Sequence, residues 1–316
     1  MNNEETGLRK CFGFTGQGSQ WVGMGRSLVQ KYPELLKVIE EVNSVLGYDL
    51  STVMFEGSES ELKNTRNSQL AIFTYSAMIL ETMKKKECHP ISDSTTLLMM
   101  GHSVGEYTAL YAAESLSLHD CAVLLKKRAD VMIDACKGID GGMIAVLFCP
   151  LPVLMNLVSD LAKEGSLCEI ANINSPKQIV VSGERGVLDE LTRRLKSGKE
   201  TRRCKVIPLN VNYPFHCSVM KLATLELDQF VHDSLQRHDI ELRDPKIPVL
   251  SNVDSYPMRT KEDVINRIGK QICSPVLWEK CVCEAVERGM NQFIEIGPKP
   301  VLGGLVGTVN KQIEVM

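Results

Sequence analysis

Gly101-His102-Ser103-Val104-Gly105-Glu106-Tyr107 is the stretch from which this 316-residue chain can be read. Upstream, residues 95–100 form a short, largely apolar run of strand length; downstream, residues 106–113 are rich in helix formers. Strand, sharp turn and helix, with glycines two positions either side of Ser103, is the order of a nucleophile elbow. Such a turn holds the hydroxyl clear of the backbone, near the positive end of the following helix. A serine so held can attack an acyl carbonyl. Three fixed positions in five recur by chance, so the rest of the chain has to supply the context.

Outward from that turn, the composition is that of a soluble globular protein: 44% apolar, 24% charged, with a net charge of −3. The slight acidity argues against general nucleic-acid binding, and no apolar run approaches the roughly 18 residues of a membrane span. Eleven cysteines, an odd number without CxxC pairs, read as free thiols of a reducing, intracellular compartment rather than a disulfide framework. Cys281-x-Cys283 lacks a second ligand pair, so no metal is expected. Met1-Asn-Asn-Glu-Glu has neither a secretory core nor an Arg-rich transit composition. The expected compartment is the cytoplasm, or the mitochondrial matrix for a processed eukaryotic protein.

Strand-like residues 10–14 run into Thr15-Gly16-Gln17-Gly18-Ser19-Gln20, a loop whose glycines let the backbone approach a ligand closely. Apolar residues at helical spacing predict helices over 25–45, 69–84 and 119–132. The last carries Lys126-Lys127-Arg128, where an arginine turned inward would grip a carboxylate with its planar fork. From Gly141 the pattern changes to strand 143–148, helix 152–163, strands 168–174 and 178–182, helix 187–196 and strand 204–211. This β-α-β-β-α-β order is that of the ferredoxin-like split βαβ unit. Residues 141–208 therefore read as a small domain inserted into a larger α/β domain made of 1–140 and 209–316. Strand 247–250, helices 262–272 and 275–288, strand 293–296 and a closing helix from 301 continue an alternation that implies a mostly parallel sheet.

Among six histidines, His216 is the base candidate, because it lies in a Pro-interrupted loop, residues 210–218, that returns the chain from the inserted domain. His232 and His238 sit on a polar, helical stretch, His119 at a helix start and His89 before a proline. His102 adjoins the serine, but neighbours at a sharp turn point apart. Ser103 and His216 thus pair as nucleophile and base.

Seven collinear segments carry a resemblance: FTGQGSQ (Phe14 to Gln20), GHSVGEY (Gly101 to Tyr107), Arg128 with Met132, NSPKQIVVSG (Asn174 to Gly183), PFH (Pro214 to His216), QICSPVLW (Gln271 to Trp278) and EIGPKPVL (Glu295 to Leu302). Together they resemble the malonyl-CoA:acyl carrier protein transacylase family over nearly the whole chain. The resemblance implies an α/β-hydrolase-like core with a ferredoxin-like insertion. It implies Ser103 as nucleophile and His216 as base, oriented by the main-chain carbonyl of Gln271 rather than by an acidic third member. The backbone N–H groups of Gln17 and Val104 would form the oxyanion hole, and Arg128 would bind the malonyl carboxylate. Ala129 replaces the usual glycine after that arginine, and Cys217 stands where serine is commoner after the histidine. Neither removes a catalytic atom.

The implied reaction moves malonyl from malonyl-CoA to the phosphopantetheine thiol of holo acyl carrier protein, in fatty acid biosynthesis, through an acyl-serine and with ping-pong kinetics. It implies a monomer that uses no metal or resident cofactor. A serine esterase or thioesterase would place Asp or Glu between serine and histidine in chain order and would need no arginine. A silent carrier-binding protein would lack Ser103 or His216. Arg193, Arg194, Lys196, Lys199, Arg202, Arg203 and Lys205 surround a single acidic residue, Glu200. Arg194, Lys199 and Arg202 are the candidate docking residues for an acidic carrier protein.

Overall fold

All five residues of β1 (Lys10–Phe14) are buried, and the main sheet extends outward from them. The computed structural model describes residues 7–86, 94–163 and 165–316, so His89 lies outside the described residues. β1 lies between β2 (Thr96–Gly101) and β9 (Gln292–Ile296), parallel to both. β7 (Val249–Leu250) extends the parallel run beyond β2, and β10 (Glu314–Val315) does so beyond β9. β8 (Pro257–Met258) closes one edge antiparallel to β7, which makes the sheet mixed but mostly parallel.

Side chains along β1 alternate between two apolar layers, as a period of two requires. Phe12 and Phe14 enter the layer formed with α2 (Leu36–Leu46), α5 (Thr65–Lys86), α6 (Gly105–Ala112) and α7 (Leu118–Ala135). Cys11 enters the opposite layer, formed with α12 (Trp278–Glu287) and α13 (Leu302–Val309). Short helices α1 (Arg26–Lys31), α3 (Leu50–Phe55) and α4 (Glu59–Lys63) complete the first cover. The helix expected over 25–45 is broken: Tyr32 and the 3-10 turn Pro33–Leu35 separate α1 from α2. Proline lacks an N–H and pushes the residue before it out of helical geometry.

A second, antiparallel sheet is built from β3 (Gly141–Leu147), β4 (Cys168–Ser175), β5 (Gln178–Glu184) and β6 (Lys205–Pro208), in the spatial order β4-β5-β3-β6. α8 (Leu151–Lys163) follows β3 and α9 (Arg185–Ser197) follows β5, and both pack on one face through Leu154, Leu161, Leu188 and Leu191. The other face presents Met143, Ala145, Ala171 and Val180 to Met132, Phe215, Met220 and Leu227 of the larger part. The strand expected over 204–211 ends at Pro208, which sits on the sheet edge opposite Ile144 where an N–H would face outward; Leu209 still donates to the Met143 carbonyl, and residues 210–216 then cross between the sheets. Beyond it lie α10 (Lys221–Gln236) and α11 (Lys261–Ile268). The helix expected over 262–272 stops at Ile268 and continues as a 3-10 turn, Lys270–Ile272, so Gln271 sits in a loop-like corner.

The elbow depends on two close backbone approaches. A Cβ on Gly101 would lie 2.0 Å from the Gly105 carbonyl carbon, and one on Gly105 would lie 2.1 Å from the Phe14 carbonyl oxygen. Both turn ends must therefore be glycine for α6 to leave β2 while touching β1. Gly105→Ala is expected to destabilise the protein by roughly 1–3 kcal/mol or more, as overpacking against backbone does. A lowered urea midpoint checks this, and an unchanged midpoint would show that the turn relaxes freely.

Candidate active site

Ser103 occupies the left-handed region, with φ 52, which for a residue with a Cβ costs roughly 1–2 kcal/mol. Asn252 from the loop after β7 holds it there. The Ser103 N–H donates to Asn252 Oδ1 at 2.7 Å, and Asn252 Nδ2 donates to the Gly101 carbonyl at 2.7 Å. His216, also left-handed with φ 56, comes in on the crossing segment that begins at Pro208. Its Nε2 lies 2.8 Å from Ser103 Oγ. Its Nδ1 faces two carbonyls, Gln271 and Ser274, each at 3.1 Å. Carbonyls only accept, so we assign the proton to Nδ1. Nε2 is then a bare acceptor, and the Ser103 hydroxyl donates to it. Burial, then Arg128, then His102 press the His216 pKa down to about 3. The ring stays neutral and able to take a proton.

Arg128 reaches the same oxygen from α7. It is 1% exposed, so the expectation of an inward arginine holds. Nη1 donates to Gln69 Oε1 at 2.6 Å; Nη2 donates to Ser103 Oγ and to Gln271 Oε1, each at 3.0 Å. The guanidinium carbon lies 5.6 Å from the centre of the Tyr107 ring, and the buried Nε has no hydrogen-bond partner among the described residues. A buried cation is costly unless matched. Glu106, the buried carboxylate that acts on it electrostatically, is itself pushed up to about 7 by burial. Among the described residues no carboxylate pairs directly with the guanidinium, whose partners are neutral, so it is open to an anionic ligand.

That ligand has a cavity of about 250 Å³, with Gln17, Ser103, Arg128 and His216 as polar groups and Met143, Val180 and Phe215 among the apolar walls. The volume is below the roughly 300–1,000 Å³ of drug-sized sites and suits a short acyl group. Among the described residues the backbone N–H groups of Gln17 and Val104 have no hydrogen-bond acceptor. An open groove of about 630 Å³ adjoins it, sharing Gln17 and Val211 and reaching Lys63 and Tyr213.

His102 turns away from Oγ and pairs with Asn174 Oδ1 at 2.8 Å. The docking candidates lie outside the cavity. Lys199 and Arg202 are exposed, whereas Arg194 is half-buried and ion-paired with Glu190 at 2.6 Å. Glu190, which also pairs with Arg193, lies a helical turn before the basic run and so escaped a count that began at Arg193. Sequence reading also missed Gln69, Asn252, Ser274 and Glu106. A lone glutamine inside the apolar run Leu70, Ile72, Phe73 was the one available signal for Gln69.

A neutral histidine at hydrogen-bond distance from an elbow serine, beside a buried guanidinium, defines a site able to carry an acyl group bearing negative charge. The family model described as Acyl transferase domain matches residues 11–314. The chain is 38% identical over 307 residues to the malonyl CoA-acyl carrier protein transacylase of Bacillus subtilis, covering 97% of this chain and 92% of that protein. It is 34% identical to its Staphylococcus aureus counterpart, covering 96% and 92%. Among solved structures, a malonyl-transacylase in complex with its type II PKS acyl-carrier protein superposes with a TM-score of 0.88 at 29% identity, over 97% of this chain and 94% of that one. An acyl carrier protein S-malonyltransferase from Vibrio cholerae superposes with 0.87 at 29%, over 97% and 95%. The chain belongs to the acyl transferase family and, within it, to the malonyl CoA-acyl carrier protein transacylases.

The His216 environment has a consequence for stability. An unfolded histidine takes up a proton near 6.5, whereas the folded ring resists until about 3. Between those values this residue binds more protons in the unfolded state, so its contribution to stability falls as pH is lowered, by up to about 1.4 kcal/mol per unit, opposed above about 4.5 by Glu106, whose carboxyl is raised in the fold. His216→Gln should remove that contribution from the slope in urea titrations across that window. Equal slopes in both proteins would assign the acid sensitivity to other groups.

Proposed function

We propose that the protein transfers malonyl from malonyl-CoA to the phosphopantetheine thiol of acyl carrier protein, acting in fatty acid biosynthesis. The observation that carries this reading is Arg128 Nη2 at 3.0 Å from Ser103 Oγ, which puts a buried cation within reach of the free carboxylate of a malonyl group on that serine. His216 takes the Ser103 proton as Oγ attacks the thioester carbonyl, and the oxyanion forms against the Gln17 and Val104 N–H groups. The bond to coenzyme A sulfur breaks, and its thiolate leaves with the proton from His216. In the second half the carrier thiol gives its proton to His216 and attacks the malonyl-serine carbonyl; the C–Oγ bond breaks and Ser103 Oγ takes that proton back from His216. Thioester exchange is nearly balanced, so this scheme calls for no metal or resident cofactor.

Two carbonyls rather than a carboxylate on His216 Nδ1 favour this reading over an esterase triad. The spatial order β4-β5-β3-β6 supports a ferredoxin-like domain over 141–208, and the parallel run around the elbow supports an α/β-hydrolase-like domain over 1–140 and 209–316. Every group in the scheme comes from one chain, which suits a monomer. The free cysteines suit a reducing compartment, cytoplasmic or mitochondrial; no helix among the described residues is long and apolar enough to cross a membrane. The groove beside Gln17 is where we place the pantetheine arm. The exposed Lys199 and Arg202, with Arg194, form the surface we assign to the acidic carrier. Its contribution is read from the carrier step alone: charge reversal there should slow that step and flatten its salt dependence, and an unaltered step would move docking elsewhere.

Arg128→Ala tests the carboxylate assignment. A charge-assisted pair contributes roughly 1.5–3 kcal/mol, so malonyl transfer should drop about tenfold to a hundredfold or more. Acetyl transfer should drop far less or rise. Equal losses with both acyl groups would make Arg128 structural.

A further inference from the structure

Glu106 has no part in the chemistry above, yet it is 2% exposed in the first turn of α6. Carboxylates are almost never buried unless their hydrogen bonds and charge are matched. Its Oε2 accepts the backbone N–H of Asn252 at 2.7 Å, across 146 residues of chain, and the nearby Gln271 side chain acts on it electrostatically, lowering its pKa. Each partner grips a different part of the site. Asn252 clamps both ends of the serine turn through the Gly101 carbonyl and the Ser103 N–H. Gln271 donates from Nε2 to the Ser103 carbonyl at 3.0 Å, accepts from Arg128 at Oε1, and offers its own carbonyl to His216.

We propose that Glu106 is a positioning residue: through the Asn252 N–H, its one buried carboxylate holds the side chain that clamps the serine turn in register for acylation. This rests on the acyl-serine reading of the site. The ionised form does the positioning, because the Asn252 N–H donates to the carboxylate and a charged acceptor makes the stronger bond. Besides Asn252 and Gln271, the charged or titratable groups that act on it among the described residues are Arg128 from α7, Tyr107 from its own helix, Asp254 after β7 and Cys281 from α12. Burial raises its pKa to about 7, while Asn252, Gln271 and Arg128 oppose that rise. Positioning is therefore complete above that value and is lost as pH falls through it. His216, held near 3, does not titrate in this window.

The test is single-turnover acylation followed by intact-protein mass, at pH about 5.5 to 8.5, with malonyl-pantetheine as donor because it lacks phosphates that titrate in the same range. The wild-type rate should rise about tenfold or more with a one-proton midpoint near 7. Glu106→Gln should be at least about tenfold slower at the alkaline end and lack the inflection, with its thermal midpoint recorded alongside. A Gln variant that keeps the wild-type rate and profile overturns the proposal, as does one that loses only thermal stability. If that variant does not fold, the wild-type profile decides alone, and a flat one overturns it. Failure of the acyl-serine reading looks different: the wild type would then take up no malonyl at any pH.

Discussion

A guanidinium buried 3.0 Å from a serine hydroxyl is the constraint on which the rest of the site depends. Taking that charge out of water costs several kcal/mol, and the cost is offset only where hydrogen bonds, an aromatic face and a carboxylate converge. Gln69 comes from α5, Tyr107 and Glu106 from α6, and Gln271 from the corner after α11. Each sits on an element whose other face is core, so their positions are set by packing rather than by local flexibility. The same cation also prepares the chemistry. It donates to the Ser103 hydroxyl oxygen and, with burial, keeps His216 neutral.

The fold serves this by bringing three chain segments to one oxygen. β2 ends in a turn so tight that two glycines are obligatory, β6 gives way after Pro208 to the segment that carries the histidine, and α11 ends early so that Gln271 and Ser274 turn their carbonyls inward. The antiparallel sheet adds the apolar wall, through Met143 and Val180, opposite the charged one. A short acyl group with a terminal carboxylate fits a pocket with one greasy side and one cation.

Much of this was legible before any coordinates. The glycine spacing around Ser103 disclosed the elbow because the reason for it is local: backbone touching backbone within five residues. His216 emerged from its place in a Pro-bearing return loop, and Arg128 from motif order. What escaped was non-local. Asn252 acts across 149 residues, Glu106 across 146 and Gln69 across 59, and nothing in their immediate surroundings announces a partner. The break at Pro33 was visible and was overridden by apolar spacing on both sides of it. In the basic run, a window drawn by charge rather than by helical turn left out Glu190.

The central claim is that Ser103 carries the malonyl group between two thiols. The direct measurement is to mix the protein with malonyl-CoA alone, map the adduct by tandem mass spectrometry, and then add holo acyl carrier protein. One malonyl per chain is expected, on Ser103, discharged onto the carrier thiol when the carrier arrives. A malonyl found on another residue, or carrier malonylated while the Ser103 adduct stays in place, would contradict it.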